Sequence, residues 1–324
     1  MTKITYREAV SRALRESLQD DRVFLMGEDI GYYGGPYAVT KGFVQDYGEQ
    51  RIKDTPISES VIVGAGIGAA MAGLRPIVEL MTINFSLLAM DQIVNHAAKL
   101  RYMSGGQFSV PLIIRTVTGG GAQLAATHSQ SFEGWYAHVP GLKVVVPSNP
   151  YDALGLFRSA LQEEDPVIFV EHALLYGNQG EVPDSPYTVP IGKADVKRDG
   201  TDLTIISSSR MVQVTLEAAE ELKQEGISAE VIDLRTLRPL DTETLIISVE
   251  RTHRALVVEE DWRTGGFAGE IASEIQEHAF DMLDAPVGRL AGIEVPMPYA
   301  ANLERAAIPS ANRIAERARR LVRG

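Results

Sequence analysis

The side chains best suited to chemistry fall in two short polar stretches. Residues 54–60 read DTPISES. The proline fixes the approach, Ser58 can cap a following helix, and Glu59 then falls in its first turn. A carboxylate there is either a favourable partner of the helix dipole or a proton-handling group in a site. Residues 118–130 read TGGGAQLAATHSQ, a long polar loop around His128. A histidine flanked by Thr127 and Ser129 is either an exposed surface group or a site group. The other histidines, His96, His138, His172, His253 and His278, show no metal-ligand spacing, and no Gly-x-Ser-x-Gly elbow supports a serine hydrolase. Cysteine is absent, which excludes disulfides, cysteine-ligated zinc, iron–sulfur clusters and thiol catalysis.

The run VIVGAGIGAAMAG (61–73) invites a dinucleotide-binding reading but lacks the G-x-G-x-x-G order. Glu79 comes too early for the usual ribose contact and sits inside an apolar run. No Lys-Ser/Thr pair follows the glycines, so a Walker loop is absent too. A mechanical role fits better: small residues let another element approach closely. Each helical glycine costs about 1 kcal/mol, so tight packing, also against another subunit, is expected to offset them.

Two alternating series of elements must position these groups. Thr5 and Glu8 form a capping box ahead of Tyr6, Val10, Ala13, Leu14 and Leu18 at helical spacing. Apolar runs at 23–26, 77–80, 112–116, 143–146 and 167–170 predict strands, with a loop over 31–37 and helices over 58–73, 87–103 and 152–161. The first of these strands ends in Gly27-Glu28-Asp29 and so presents carboxylates at its C-terminal end. Residues 177–200 hold scattered Gly and Pro without a period, which places a linker at 181–200 between domains 1–180 and 201–324. Strands over 203–207, 229–234, 255–259 and 287–293 then alternate with helices over 211–224, 241–249, 268–279 and 310–320. This pattern predicts α/β architecture in two doubly wound domains, with ligand sites beyond the C-terminal strand ends.

A length of 324 residues agrees with two domains of about 150 residues each. The formal charge is 31 − 43 = −12, which speaks against nucleic acid and against an anionic membrane surface as partners. No apolar run reaches the roughly 18 residues of a membrane span. The start MTKITYREAV has no signal-peptide core, so a cytoplasmic location is expected.

Longer blocks carry a resemblance. They are DTPISES (54–60), LRPIVELMTINF (74–85), AMDQIVNHAAKLRYMSGG (89–106), THSQSFEGWYAHVPGLKVVVPSNPYDALGL (127–156), LLYG (174–177), IDLRTLRPLD (232–241) and VVEEDWRTGGFAGEI (257–271). Together they resemble the β subunits of thiamine-diphosphate 2-oxo-acid dehydrogenases, in the same order along essentially the whole chain. Branched-chain and acetoin relatives share most blocks, and residues 79–85 look most like the version acting on pyruvate.

The resemblance implies a transketolase-like pyrimidine-binding domain followed by a transketolase C-terminal-like domain, in an α2β2 heterotetramer. The implied activity is oxidative decarboxylation of pyruvate, with reductive acetylation of the lipoyl group on a dihydrolipoyl acyltransferase, leading to acetyl-CoA. The family's α subunit holds the diphosphate and Mg2+ through a Gly-Asp-Gly motif, and that motif does not occur here. This chain therefore resembles half an active site, on the side facing the aminopyrimidine of thiamine diphosphate. By resemblance Glu59 hydrogen-bonds a pyrimidine nitrogen and so promotes loss of the thiazolium proton. Ile57, Met81 and Phe85 surround the ring, with Phe85 packing on it, and Glu28 lies near the same site. His128 faces the thiazolium and assists protonation or transfer to the lipoyl group. A potassium ion is implied at the carbonyls of Leu112, Ala160, Leu161 and Asp165 and at Glu163, although positions 163 and 165 depart from the family's common Asp and Asn. Asp281 and Asp284 are implied to meet a basic binding domain of the acyltransferase. Three other readings stay open: the β subunit of a branched-chain or acetoin dehydrogenase, a non-catalytic assembly subunit, and a self-contained transketolase-like enzyme. The missing Gly-Asp-Gly motif and the short length weigh against the last.

Overall fold

The computed structural model describes all 324 residues, Met1–Gly324. The chain divides into two compact units, Met1–Thr118 with Trp135–Ile191, and Gly119–Gly134 with Gly192–Gly324. No helix is long and apolar enough to cross a membrane.

In the first unit the capping box forms as expected. Thr5 Oγ1 accepts from the Glu8 N–H at 3.2 Å, and the Glu8 carboxylate accepts from the Thr5 N–H at 2.7 Å. The helix Tyr6–Ser17 that follows buries Tyr6, Val10, Ala13 and Leu14. Its face shares a core with the helix Pro150–Ala160, which Asn149 caps by accepting from the Asp152 N–H at 2.9 Å. Six parallel strands of this unit lie in the order Lys143–Val145, Val167–His172, Ile113–Thr118, Arg75–Leu80, Val23–Glu28, Ile52–Thr55. Consecutive residues are buried because helices cover both faces. Ile77 joins the core under the first helix, whereas Val78 faces the helix Glu59–Met71. Residues 179–182, which straddle the expected start of the linker at 181, pair antiparallel with Thr2–Thr5.

The expected continuous helix over 87–103 does not form. Its place is taken by a 3-10 segment Ile83–Ala89, a π segment Gln92–Ala97 and an α-turn Leu100–Met103. The cause is tertiary. Gly141, at φ +97°, lies so close that a Cβ on it would sit 2.0 Å from the Ala98 oxygen. The Ala98 N–H donates to Ile93 O at 3.0 Å, a π-type bond, and Lys99 Nζ donates to Pro140 O at 2.9 Å.

The second unit carries a sheet in the order Gly288–Gly292, Ala255–Trp262, Leu203–Ser207, Ala229–Asp233, Asp195–Arg198. Its strands are parallel except Asp195–Arg198, an antiparallel edge drawn from the stretch read as linker. The helices Arg210–Gln224 and Ala311–Arg323 share its core, and Gly226 at φ +79° follows the first of them. A short helix, Ala301–Ala307, was not anticipated. Two doubly wound α/β units are thus observed.

The glycine-rich helix Glu59–Met71 answers the packing question in part. A Cβ on Gly66 would lie 2.8 Å from Val78 Cγ1 and 3.1 Å from Leu112 Cδ1, so the sheet of the same unit uses that glycine. Gly68 meets nothing within 4 Å, and Val61 and Ala65 are likewise exposed. Gly66→Ala should therefore lower the denaturation midpoint of the purified chain, because overpacking costs about 1–3 kcal/mol. Gly68→Ala should raise it, by up to about 1 kcal/mol of helix propensity. Equal shifts for both would contradict this packing.

Candidate active site

The first unit gathers polar groups beyond the C-terminal ends of its strands. Glu28 ends the strand Val23–Glu28, and its register partner is Thr55 at the end of Ile52–Thr55. The turn 56–58 then leads into the helix that Glu59 opens. Glu59 is only 6% exposed, and its carboxylate has no hydrogen-bond or ion-pair partner in the chain. The expected side-chain cap from Ser58 is absent, because Ser58 sits at φ −166°, ψ 64°. The carboxylate therefore lies at a helix start whose first-turn N–H groups are not capped by the Ser58 side chain.

Glu28 holds its carboxyl above the ordinary range, first through burial and then through the nearby charges of Asp29 and Glu59. Thr55 Oγ1 is buried without a partner. Leaving such groups unpaired costs about 1–3 kcal/mol each. Unpaired buried groups of this kind are candidates for contact with a ligand. The residues fit a hydrogen-bonding heterocycle: one buried carboxyl, a second with raised proton affinity, and a hydroxyl.

The apolar candidates are placed unevenly. Met81 and Phe85 are half-buried just after the strand Arg75–Leu80. Phe85 is set by a turn in which Thr82 Oγ1 accepts from the Asn84 N–H at 3.2 Å. Ile57 is 73% exposed, so within this chain it closes no dry pocket. Asp54, in the same polar stretch, is a structural tie. Its carboxylate accepts from the Gly31 N–H at 2.5 Å and the Tyr32 N–H at 3.3 Å, holding the 31–37 loop.

Sequence reasoning passed over the charged group below the site. Glu79 pairs in register with Arg115 on the neighbouring strand, and Glu171 lies on the next. Arg115 is 2% exposed and bonds both Glu79 and Glu171. A further bond to Glu171 Oε2 measures 3.1 Å, and Tyr176 OH donates to the same oxygen at 2.7 Å. The Tyr37 ring stacks on Tyr176 at 4.9 Å. Burial pushes the Glu79 carboxyl up, and Arg115 opposes that shift. The readable signal was an acid, a base and an acid near the ends of three apolar strand runs.

His128 belongs to the second unit, in the loop 119–134. It is exposed, and its Nδ1 lies 2.9 Å from Thr127 Oγ1. Two carboxylates shape the loop. Glu304, on the unanticipated helix, accepts from the Gly121 N–H at 2.9 Å and the Gln123 N–H at 3.0 Å. Glu260 accepts from the Gly120 N–H at 2.7 Å. Nearby, Asp261 is pushed up to about 7, first by burial and then by Glu133 of the loop. Burial also lifts Glu259 to about 7, although it accepts from the Ala268 N–H at 2.8 Å.

The residues implied for potassium do converge at the end of Pro150–Ala160, but they do not fit an added cation, since Arg75 donates to the Leu161 and Glu163 carbonyls. Asp281 is exposed, while Asp284 pairs with Arg254 at 2.9 Å.

Arg115→Met should lower the unfolding free energy by about 3–5 kcal/mol, because it strands two buried carboxylates. Unpaired in the fold, those carboxyls bind protons more tightly there than in the unfolded chain. The deficit in urea melts should therefore shrink as pH falls toward 5 and grow toward 8; a pH-independent deficit would contradict an ionic cause. Glu304→Ala should speed amide exchange at Gly121 and Gln123 roughly tenfold or more, at about 1.5 kcal/mol or more per charged hydrogen bond. Unchanged exchange there would remove Glu304 as the loop's anchor.

Two family models match the chain: the transketolase pyrimidine binding domain over residues 2–179 and the transketolase C-terminal domain over 192–314. A solved structure described as a split gene transketolase, inactive beta4 tetramer, superposes with a TM-score of 0.79 at 22% identity, covering 99% of this chain and 98% of that one. That likeness concerns the fold. Pyruvate dehydrogenase E1 component subunit beta-2, mitochondrial, of Oryza sativa subsp. japonica is 50% identical over 98% of this chain and 86% of its own length. The E1 component subunit beta of Rickettsia felis is 47% identical over 97% of both chains. With its two transketolase domains and this degree of identity over nearly its full length, the chain belongs to the family of pyruvate dehydrogenase E1 component β subunits.

Proposed function

We propose that this chain is the β half of a pyruvate dehydrogenase decarboxylase, active with an α subunit in an α2β2 assembly. It takes part in oxidative decarboxylation of pyruvate and acetyl transfer to a lipoyl group. The observation that carries this reading is the buried, partnerless carboxyl of Glu59, set beside Glu28 and the unpaired Thr55 hydroxyl. Thiamine diphosphate, when bound, supplies the carbanion chemistry that releases CO2 from a 2-oxo acid.

This chain's residues supply position and proton control. Glu59 holds a proton at a pyrimidine ring nitrogen, and Glu28 and Thr55 extend the polar edge around it. Phe85 and Met81 offer the apolar surface on which the ring lies. Ile57, exposed here, completes that surface against the α subunit. Mg2+ and the diphosphate belong to the α subunit, because this sequence has no Gly-Asp-Gly motif. His128, on its carboxylate-anchored loop, serves proton transfer during passage of the acetyl group to the lipoyl sulfur. The exposed Asp281 and the overall charge of −12 suit a basic binding domain of a dihydrolipoyl acyltransferase.

The test is Glu59→Gln assembled with the α subunit. Pyruvate decarboxylation should fall by about 100-fold or more, while gel filtration shows an unchanged assembly. A wild-type rate would remove Glu59 from the mechanism and leave the chain an assembly role.

A further inference from the structure

At the end of the helix Pro150–Ala160, the oxygens implied for potassium at Leu112, Ala160, Leu161 and Glu163 already have partners. Arg75 Nη1 donates to Leu161 O at 2.8 Å and to Glu163 O at 3.0 Å, and its other terminal nitrogen pairs with Glu164. Leu112 O accepts from the Val167 N–H at 2.9 Å, and Ala160 O accepts from the Glu163 N–H at 3.2 Å. The Glu163 carboxylate pairs with Lys143, and that of Asp165 accepts from Arg101 at 3.0 Å. Three carboxylates (Glu163, Glu164, Asp165) thus face three cations (Arg75, Lys143, Arg101), and 3 − 3 leaves no surplus negative charge.

A helix C-terminus leaves carbonyls that a cation satisfies. A guanidinium does this with a planar fork, reaching two carbonyls and a carboxylate at once. Arg75 is held for that task. It opens the strand Arg75–Leu80, its N–H donates to Arg22 O at 2.9 Å, and its side chain is only 14% exposed. An alkali ion among these oxygens would displace the guanidinium or lie against it as a like charge.

We infer that Arg75 is a built-in cation: its guanidinium takes the place of the potassium ion implied by resemblance, so this chain needs no bound monovalent cation to hold the end of Pro150–Ala160. The inference rests on hydrogen bonds within the first unit and is independent of the role given to Glu59.

The experiment compares thermal unfolding of the α2β2 holoenzyme in KCl, NaCl and choline chloride at equal ionic strength. The wild type should melt within about 1 °C in all three, and Arg75→Ala should melt roughly 5 °C or more lower, from the loss of several charged hydrogen bonds. A saturable rise in the wild-type midpoint specific to KCl would overturn the inference, since a ligand of the native state stabilises by mass action. So would an unchanged midpoint in Arg75→Ala. Should that variant fail to fold, Arg75→Lys decides: one ammonium cannot reproduce the fork, so its midpoint should fall, and an unchanged midpoint overturns the inference.

Discussion

The first unit depends on one buried ionic group. Arg115, Glu79 and Glu171 join three adjacent parallel strands through charged hydrogen bonds away from water. Taking three charges out of solvent is unfavourable, so the arrangement persists only if the geometry satisfies each of them. Tyr176 completes Glu171, and Tyr37 covers Tyr176. The strand that carries Glu79 also sets the strand beside it. Gly27 is Glu79's register partner, and a Cβ there would meet the Glu79 backbone oxygen at 2.8 Å. The next residue is Glu28. The register of this strand therefore fixes where Glu28 emerges, and the nearby charge of Glu59 adds to the raised proton affinity of Glu28.

Two arginines divide the work on this sheet. Arg115 is nearly enclosed and serves the strand ends where the site lies. Arg75 serves the opposite end of its own strand, joining it to the end of a helix by carbonyl bonds. Both positions use the rigid fork of a guanidinium, which a lysine cannot copy. The proposed site is open within this chain. It offers a carboxyl and a hydroxyl with nothing to bind in this chain and an apolar side chain, Ile57, with nothing to cover it. Gly68, Val61 and Ala65 extend that uncovered surface along the helix Glu59 opens. Such features are costs in an isolated chain and assets in a shared site.

Much of this was legible in the residues. Thr5 and Glu8 marked the first helix because the capping box is a local device. The alternation of apolar runs gave both α/β units, and DTPISES located the carboxyl at a helix start. What escaped was tertiary. The helix expected over 87–103 was broken by the backbone of Gly141, a contact separated by some forty positions and invisible to periodicity. Glu79 was set aside as a ribose ligand because it comes too early and sits inside an apolar run, and charges inside apolar runs reveal pairing only once strand order is known. The oxygens at 160–165 were implied as metal ligands by resemblance, yet an arginine far earlier in the chain donates to two of them, the Leu161 and Glu163 carbonyls. The helix that anchors the His128 loop has weak periodicity and was missed for its shortness.

The most direct measurement is pyruvate decarboxylation by this chain alone, by its α subunit alone, and by the two mixed, each with thiamine diphosphate and Mg2+. A site built from two halves predicts no turnover by either chain and full turnover by the mixture. Turnover by this chain alone would contradict it.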